Sequence, residues 1–344
     1  MKLKIFSFFI TTLITLFLIS CGSDDKKESA ASQAYDNLPS VDMKGEKVKL
    51  RYKFENGDKF KYRLTTITDA DEIIQADSTI KSKSNQNVIY VFDIEVIEVD
   101  ADKIAEVSIN ISSVKVNVDV NGQKYSYNTN SENSVEEKRK FLEYETIYNT
   151  PFRARVNNKG EVIEVSRLDK MIDKMNSMQP QKQTLSADQK AQLSKNLGDV
   201  ALRPLTQLLF RELPDNSLAK DSNWVKRYPG QMSVFKLDNT AKFTVLDFVD
   251  LDGDKGAKIK ADLSVTWTGD KQGEENGVKY TFDEPKASGG GVIVFNVDKG
   301  NLVNAETSTR LEMSVQIQAK DSMQKIQRTT RREISTNKNI VELL

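Results

Sequence analysis

Residue types that do chemistry are unevenly stocked in this chain. Of its 344 residues one is cysteine, Cys21, and none is histidine. Histidine is the usual general base near neutral pH. Its absence removes Ser-His-Asp and Cys-His arrangements and the common zinc sites. Carboxylates, hydroxyls, lysines and two tryptophans remain. Asp250, Asp252 and Asp254 alternate around Gly253 as in a calcium loop. Such a loop needs Gly at its sixth position and Glu at its twelfth; Lys255 and Ala261 stand there instead. The group reads as a tight acidic hairpin turn. Ser and Lys fall at S-x-x-K spacing at Ser78/Lys81, Ser112/Lys115, Ser217/Lys220 and Ser322/Lys325. A chain rich in both residues produces such pairs by composition, and the accompanying motifs of serine penicillin-binding enzymes are missing. Glu136, Glu137, Glu143 and Glu145 offer a glycosidase pair, but carboxylates at this density read as a solvated face. Trp224 and Trp267 offer a sugar platform and read rather as packing. No catalytic, cofactor-binding or metal-binding residue is assigned. The expectation is a protein that is not an enzyme and takes no cofactor.

The cysteine is different. Lys2 and Lys4 form a basic start, and Ile5 to Ile19 is an apolar run broken only by Ser7, Thr11, Thr12 and Thr15. This is the layout of a secretory signal. It is short for a membrane span, which needs about 20 apolar residues. Leu18, Ile19, Ser20 and Cys21 resemble the lipobox of bacterial lipoproteins. That resemblance implies removal of residues 1–20 and lipid attachment, palmitate included, at Cys21. A lone cysteine has no internal disulfide partner. Several acyl chains hold firmly where one is marginal, at about 0.8 kcal/mol per buried CH₂. Gly22 rather than Asp follows the cysteine, so the enterobacterial inner-membrane retention signal is missing. Ser23, Asp24 and Asp25 resemble the acidic export signal of Bacteroidota lipoproteins. The expected location is the cell outer membrane, facing the periplasm or the surface.

Charge narrows the partners. The chain has 50 basic and 50 acidic residues, and removal of Lys2 and Lys4 with the signal leaves −2. No basic excess exists to neutralise phosphates, so nucleic acid is not expected. The expected partners are the membrane through the lipid, and an envelope protein or a hydrophobic ligand.

The elements that must position any site are mostly strands. Residues 21–46 are rich in Ser, Asp, Lys and Ala without hydrophobic period, a flexible tether with an r.m.s. span of about 25–30 Å. Residues 47–166 read as a first β-meander. Leu50, Tyr52 and Phe54, then Asn56-Gly57-Asp58, then Phe60, Tyr62 and Leu64 give a hairpin signature. Within Ile104–Val120 the apolar phase switches from odd (Val107, Ile109, Ile111) to even (Val114, Val116, Val118), which requires a bulge near Ser112 and Ser113. Residues 167–213 read as helical: Ser186 to Gln189 is a capping box. Leu193, Leu197, Ala201, Leu205 and Leu208 then follow at helical spacing, with a kink at Pro204. Residues 214–344 read as a second β-meander. Its closing stretch, Gln324 to Ile340, is β-prone but polar, which predicts an edge strand.

Phe92–Lys103 parallels Phe243–Lys255, and Phe152–Gly160 parallels Ile293–Gly300. The fold class expected is therefore α+β and mainly antiparallel β: two related, curved β-meanders from an internal duplication, with a helical segment between them. Gly57 to Tyr62, Leu213-Pro214 with Asp221 to Trp224, and the turn Val297 to Leu302 resemble an uncharacterised family of Bacteroidota outer-membrane lipoproteins. This resemblance spans most of the chain after Cys21 and implies no activity and no site residues. A looser fold-level similarity is to half-open β-barrel lipoprotein carriers, where a curved sheet wraps helices and holds acyl chains. The expected function is a lipid-anchored envelope lipoprotein acting as a binding or structural module. The alternative is a carrier of an acyl ligand between sheet and helices.

Overall fold

The computed structural model describes Tyr35 and residues 37–344, apart from 181–183, 233–234, 269, 276 and 321–323. Among the described residues the strands are β1 (Lys59–Gln75), β2 (Thr79–Val99), β3 (Ile104–Val120), β4 (Gln123–Asn128), β5 (Phe152–Asn157), β6 (Val162–Ser166), β7 (Asn223–Met232), β8 (Phe235–Leu251), β9 (Asp254–Thr268), β10 (Gln272–Glu275), β11 (Val278–Phe282), β12 (Lys286–Asn296), β13 (Asn301–Lys320) and β14 (Ile326–Leu343). They form one 14-stranded open antiparallel sheet in the order β6-β5-β3-β2-β1-β14-β13-β12-β9-β8-β7. β4 adds to β3, and the β10–β11 hairpin adds to β13. The first and last strands pair in the middle of this order, from Tyr62–Leu343 to Gln75–Thr330. The sheet is thus one long meander whose chain ends meet at its centre. Its two edges, β6 and β7, are joined through the helical segment.

That segment holds α3 (Asp169–Met178), α4 (Ala187–Asn196), a π-helical turn (Leu197–Leu202) and α5 (Arg203–Gln207); α1 (Val135–Lys140) and α2 (Leu142–Ile147) lie earlier, after β4. The Ser186–Gln189 capping box forms in both directions at the start of α4. The single kinked helix expected over Leu193–Leu208 is instead divided by the π turn, where Arg203 N–H bonds to Gly198 O. Pro204 has no N–H and crowds the preceding turn, and a wider turn before it relieves that clash. Leu168, Met171, Leu202, Leu209, Phe210 and Leu213 share one hydrophobic core with strand residues of both meanders.

The expected bulge is present. Val91 pairs with Ser113 and Phe92 with Ile111, which leaves Ser112 as the extra residue. Two other expectations fail. Residues 47–55 do not form a hairpin with β1, because both edges of β1 are occupied by β2 and β14. They form a strap across one end of the sheet, here termed the base. Val48 and Leu218 exchange backbone bonds of 2.7 Å, Tyr52 N–H reaches Asn158 O at 2.8 Å, and Lys53 N–H reaches Gly300 O at 3.0 Å. The Asn56-Gly57-Asp58 turn binds β2 instead, with Gly57 N–H to Val96 O at 2.8 Å. Second, β14 is no edge strand. It lies between β13 and β1 for nearly its whole length.

The strap seats on two turns of related sequence. Gly160, in the β5–β6 turn, has φ +84°, and a Cβ there would stand 2.4 Å from Tyr52 Cε2 and 2.5 Å from Arg211 O. Gly300, in the β12–β13 turn, has φ +67°, and its Cβ would stand 2.6 Å from Lys53 N. Only glycine allows both the backbone conformation and the approach.

Candidate functional site

The pairing register sorts the inner face of the sheet into layers, because partners opposite one another share a face. At the base the layers are apolar: Phe92 and Tyr62, then Tyr90, Leu64, Val341, Ala305 and Ile293. Tyr52 stands among them, with ring centroids 5.8 Å from Phe210 and 5.1 Å from Phe295. Its hydroxyl accepts from Arg211 N–H at 2.7 Å, and the Tyr62 hydroxyl donates to Leu302 O at 2.9 Å. Burial pushes both phenols far above their ordinary range.

The next two layers are polar. One reads Val88, Thr66, Asn339, Thr307, Gly291; the other reads Gln86, Thr68, Asn337, Thr309, Gly289. Their side chains bond along the belt. Thr66 Oγ1 donates to Asn339 Oδ1 (3.1 Å), Asn339 Nδ2 to Asn337 Oδ1 (2.9 Å) and Asn337 Nδ2 to Thr68 Oγ1 (3.0 Å). The buried Arg211 donates to Thr307 Oγ1 at 3.5 Å. A polar interior layer is tolerated when its groups bond one another. This is why β14 can be both polar and central.

Toward the opposite end, the rim, the face changes again. Ser84, Ala70, Ser335 and Leu311 come first, then Ser82, Glu72, Glu333 and Met313, then Ile80, Ile74, Arg331, Val315 and Phe282. Glu72 and Glu333 are directly opposite. Like charges so placed repel, and the Arg331 guanidinium bridges them, with Nε on Glu72 and Nη2 3.1 Å from Glu333 Oε2. Small apolar clusters stand beside this triad: Leu237 with Met313, and Phe282 with Val315. Ile80 and Tyr125 are more than half exposed.

A second polar group lies beside α2. Glu145 is buried and accepts from the Tyr127 hydroxyl, so it is not on the solvated face expected for the acidic run. Glu137 serves instead in a capping box with Ser134, and Glu136 pairs with Lys140 at 3.1 Å. Lys174 of α3 donates to Tyr148 O at 2.6 Å, and burial lowers its pKa. Tyr144, which accepts from Gln86 Nε2 at 3.0 Å, is pushed up to about 12, mainly by burial. Glu137 and Glu145 are each held by a local partner, Ser134 and Tyr127 respectively. The acidic group Asp250 to Asp254 forms the β8–β9 turn, where Asp250 Oδ1 accepts from Gly253 N–H (2.6 Å) and Asp254 bonds Lys299 (2.6 Å). Trp224 stacks on Phe243, with ring centroids 5.1 Å apart. Cys21 lies outside the described residues. Sequence reasoning missed the polar belt and the Glu72–Arg331–Glu333 triad. The alternation of Thr66 with Thr68 and of Asn337 with Asn339 was the available signal.

No curated protein matches the chain. Among solved structures it resembles a lipovitellin structure described for its lipid–protein interactions (TM-score 0.42, 7% identity), over 85% of this chain and 25% of that one. The chain thus spans a quarter of lipovitellin's length. An outer-membrane channel of Pseudomonas putida F1 (TM-score 0.21, 9% identity; 88% and 100% covered) and OccK2 of Pseudomonas aeruginosa (TM-score 0.21, 6% identity; 83% and 98% covered) are also similar. A family model matches residues 102–301, more than half of the chain, from the β2–β3 turn through β12. The chain belongs to that family, a family of unknown function (DUF6263).

Proposed function

We propose that this protein is a lipid-anchored lipoprotein of the bacterial outer membrane that acts as a binding module rather than an enzyme. The observation that carries the binding part is the contrast along the inner face: one continuous apolar core at the base, and at the rim a carboxylate–guanidinium triad with an exposed Ile80 on one side and the buried Met313 and Val315 on the other. The described chain starts at the base. Asp250 N–H bonds Pro39 O at 2.8 Å, and Lys258 Nζ bonds Tyr35 O at 3.1 Å. A lipid on Cys21 would tether the body by that end. The 17 residues of β1 then carry the rim about 55 Å away. Support for the anchor is the apolar run ending at Ser20-Cys21 and the acidic Asp24 and Asp25. The neutral charge balance speaks against nucleic acid as a partner.

The test is metabolic labelling with palmitate followed by membrane fractionation, comparing the natural chain with Cys21→Ala. Label at Cys21 and retention with outer membranes support the reading, together with release of the unlabelled variant to the soluble fraction. Equal membrane retention of both chains would overturn it.

A carrier of acyl ligands is the second reading. The apolar clusters of Leu237, Met313, Phe282 and Val315 at the rim favour it. The sheet–helix contact weighs against it, since Met171, Leu202, Leu209, Phe210 and Leu213 are at most 1% exposed there.

A further inference from the structure

We propose that the outer face of the second meander is a docking surface for the anionic phospholipid headgroups of the membrane that holds the anchor, so that the sheet lies on the bilayer with its inner face turned away. This rests on the anchored reading above and names the surface on which the body sits. Three observations carry it.

The first is a charge that the neutral balance of the whole chain hides. Six neighbouring strands each present an exposed cation: Arg227 on β7, Lys242 on β8, Lys260 on β9, Lys286 on β12, Arg310 on β13 and Arg332 on β14. The register places them together on the outer face. Arg227 stands opposite Thr240, Lys242 opposite Asp262, Lys260 opposite Val292, Lys286 opposite Glu312 and Arg332 opposite Ser314, and residues two apart along a strand share a face. Five strand spacings make this a band about 24 Å across. The carboxylates among them are set deeper. Asp262, Glu306 and Glu312 are half-buried, and each already holds a cation: Asp262 holds Lys260 at 2.8 Å, Glu306 holds Lys338, and Glu312 holds Arg332 at 2.5 Å. Arg332 first, then Lys286 and Arg310, keeps the Glu312 carboxyl below its ordinary range. Solvent therefore meets the cations first.

The second is the contrast with the outer face of the first meander. Asp69, Asp71 and Glu95 are exposed there beside its lysines. Lys83 pairs with Asp71 at 3.3 Å and Lys59 with Glu95 at 3.7 Å. Interspersed signs of this kind serve solubility. A face of one sign instead draws a partner of the other.

The third is where the anchored end reaches the body. Lys258 and Glu342 lie on the same outer face, opposite Val294 and Asn304. Lys258 Nζ bonds Tyr35 O at 3.1 Å, and the Tyr35 phenol is pushed up by burial and then by Glu342. Tyr35 thus sits on the outer face of the second meander. Cys21 stands 14 positions before it, at most about 50 Å of chain. A lipid on Cys21 holds this face close to the headgroups, where attraction to an anionic surface acts within a Debye length of about 10 Å. The strands then run along the bilayer, and the rim stays reachable from solvent.

The test is co-sedimentation of the full chain carrying Cys21→Ala, which removes the covalent anchor, with vesicles of phosphatidylcholine alone or mixed with phosphatidylglycerol. Binding to phosphatidylcholine alone sets the baseline. Binding at least about tenfold tighter to the anionic vesicles is expected at low salt, and its loss at high salt. Lys242→Glu with Lys286→Glu and Arg310→Glu should remove at least about tenfold of that gain. The matched change on the first meander, Lys81→Glu with Lys115→Glu and Lys124→Glu, should cost no more than about threefold. Equal losses in the two triple variants overturn the proposal, as does binding without preference for phosphatidylglycerol. Equally tight binding of duplex DNA would overturn it in favour of a soluble polyanion. All the substituted side chains are exposed. If the first triple variant still fails to fold, Lys242→Gln with Lys286→Gln decides, with a loss of at least about threefold expected. Palmitate labelling of the natural chain reports the anchor separately, so failure of this surface and failure of the anchored reading are distinguishable.

Discussion

The base and the rim are made from the same strands, yet they solve opposite problems. At the base of β1, Tyr62 and Leu64 are at most 1% exposed, and the strap and the residues after α5 fill the concavity above them. Ten residues further along the same strand, Glu72 and Ile74 are half-buried and lie beside an exposed Ile80. Pairing is unbroken between the two ends. Backbone hydrogen bonding therefore does not distinguish them; what covers the inner face does. A sheet face stabilises a fold only when something is packed on it. The base supplies most of that stability; at the rim Met313 and Val315 are still packed, with Leu237 and Phe282, and it is the tip of the β1–β2 hairpin that is left uncovered.

The comparison is broken most severely by emptying the base. Phe210 is 1% exposed and meets the rings of Tyr52 and Phe54 at 5.8 and 6.0 Å. Phe210→Ala should cost about 3–5 kcal/mol, read as a lowered urea midpoint. Gly160→Ala comes next. Its left-handed φ and its overlap with Tyr52 and the Arg211 backbone each cost about 1–3 kcal/mol. A loss near 3 kcal/mol is expected from the same measurement. A Gly160→Ala chain as stable as the natural one would show that the strap does not seat on this turn.

These base features were also the most legible in the sequence. Gly160 and Gly300 end related hairpins, the phase switch at Ser112 announced a bulge, and Ser186 with Gln189 announced a helix start. Each signal is local. What was misread depends on contacts far away in the chain. The strap alternates as a strand does, and only the capture of both β1 edges by β2 and β14 diverts it. β14 looks like an edge because Asn337, Asn339 and Arg331 are polar; their partners Thr68, Thr66 and Glu72 lie more than 250 residues earlier. Glu145 looked solvated because its neighbours Glu136 and Glu143 are charged, while the Tyr127 that receives it sits on another element.

Acid should act on the base where the segment before the strap crosses β8. The Ser40 hydroxyl donates to Asp247 at 2.6 Å and Lys220 pairs with it at 3.2 Å. These bonds, Ser40 first, hold the Asp247 carboxyl below its ordinary value of 3.8. The sign follows: the carboxylate's contribution is complete above the unfolded value and disappears as pH falls through the lowered folded one. Asp247→Asn should therefore lower stability at pH 7 and flatten its acid dependence below about pH 4. An unchanged acid limb in urea unfolding between pH 5 and 2.5 would assign that limb to other carboxylates.

The smallest expected effect is the sharpest discriminator. Ile80 is 58% exposed and stands opposite Ile74 near the tip of the β1–β2 hairpin. Polar substitution there removes little buried area, so Ile80→Ser should change unfolding free energy by no more than about 0.5 kcal/mol. The same type of change at Leu64, which is fully buried in the base, removes a packed side chain and leaves a hydroxyl facing Tyr62 and Phe92. Their ratio measures how far the core extends along β1. A large loss at Ile80 would mean that the rim is part of the stability core, and the division between a packed base and a free rim would fall. A negligible loss would mean that this exposed isoleucine stays at the mouth without contributing to the fold. Its contribution should then be sought in binding.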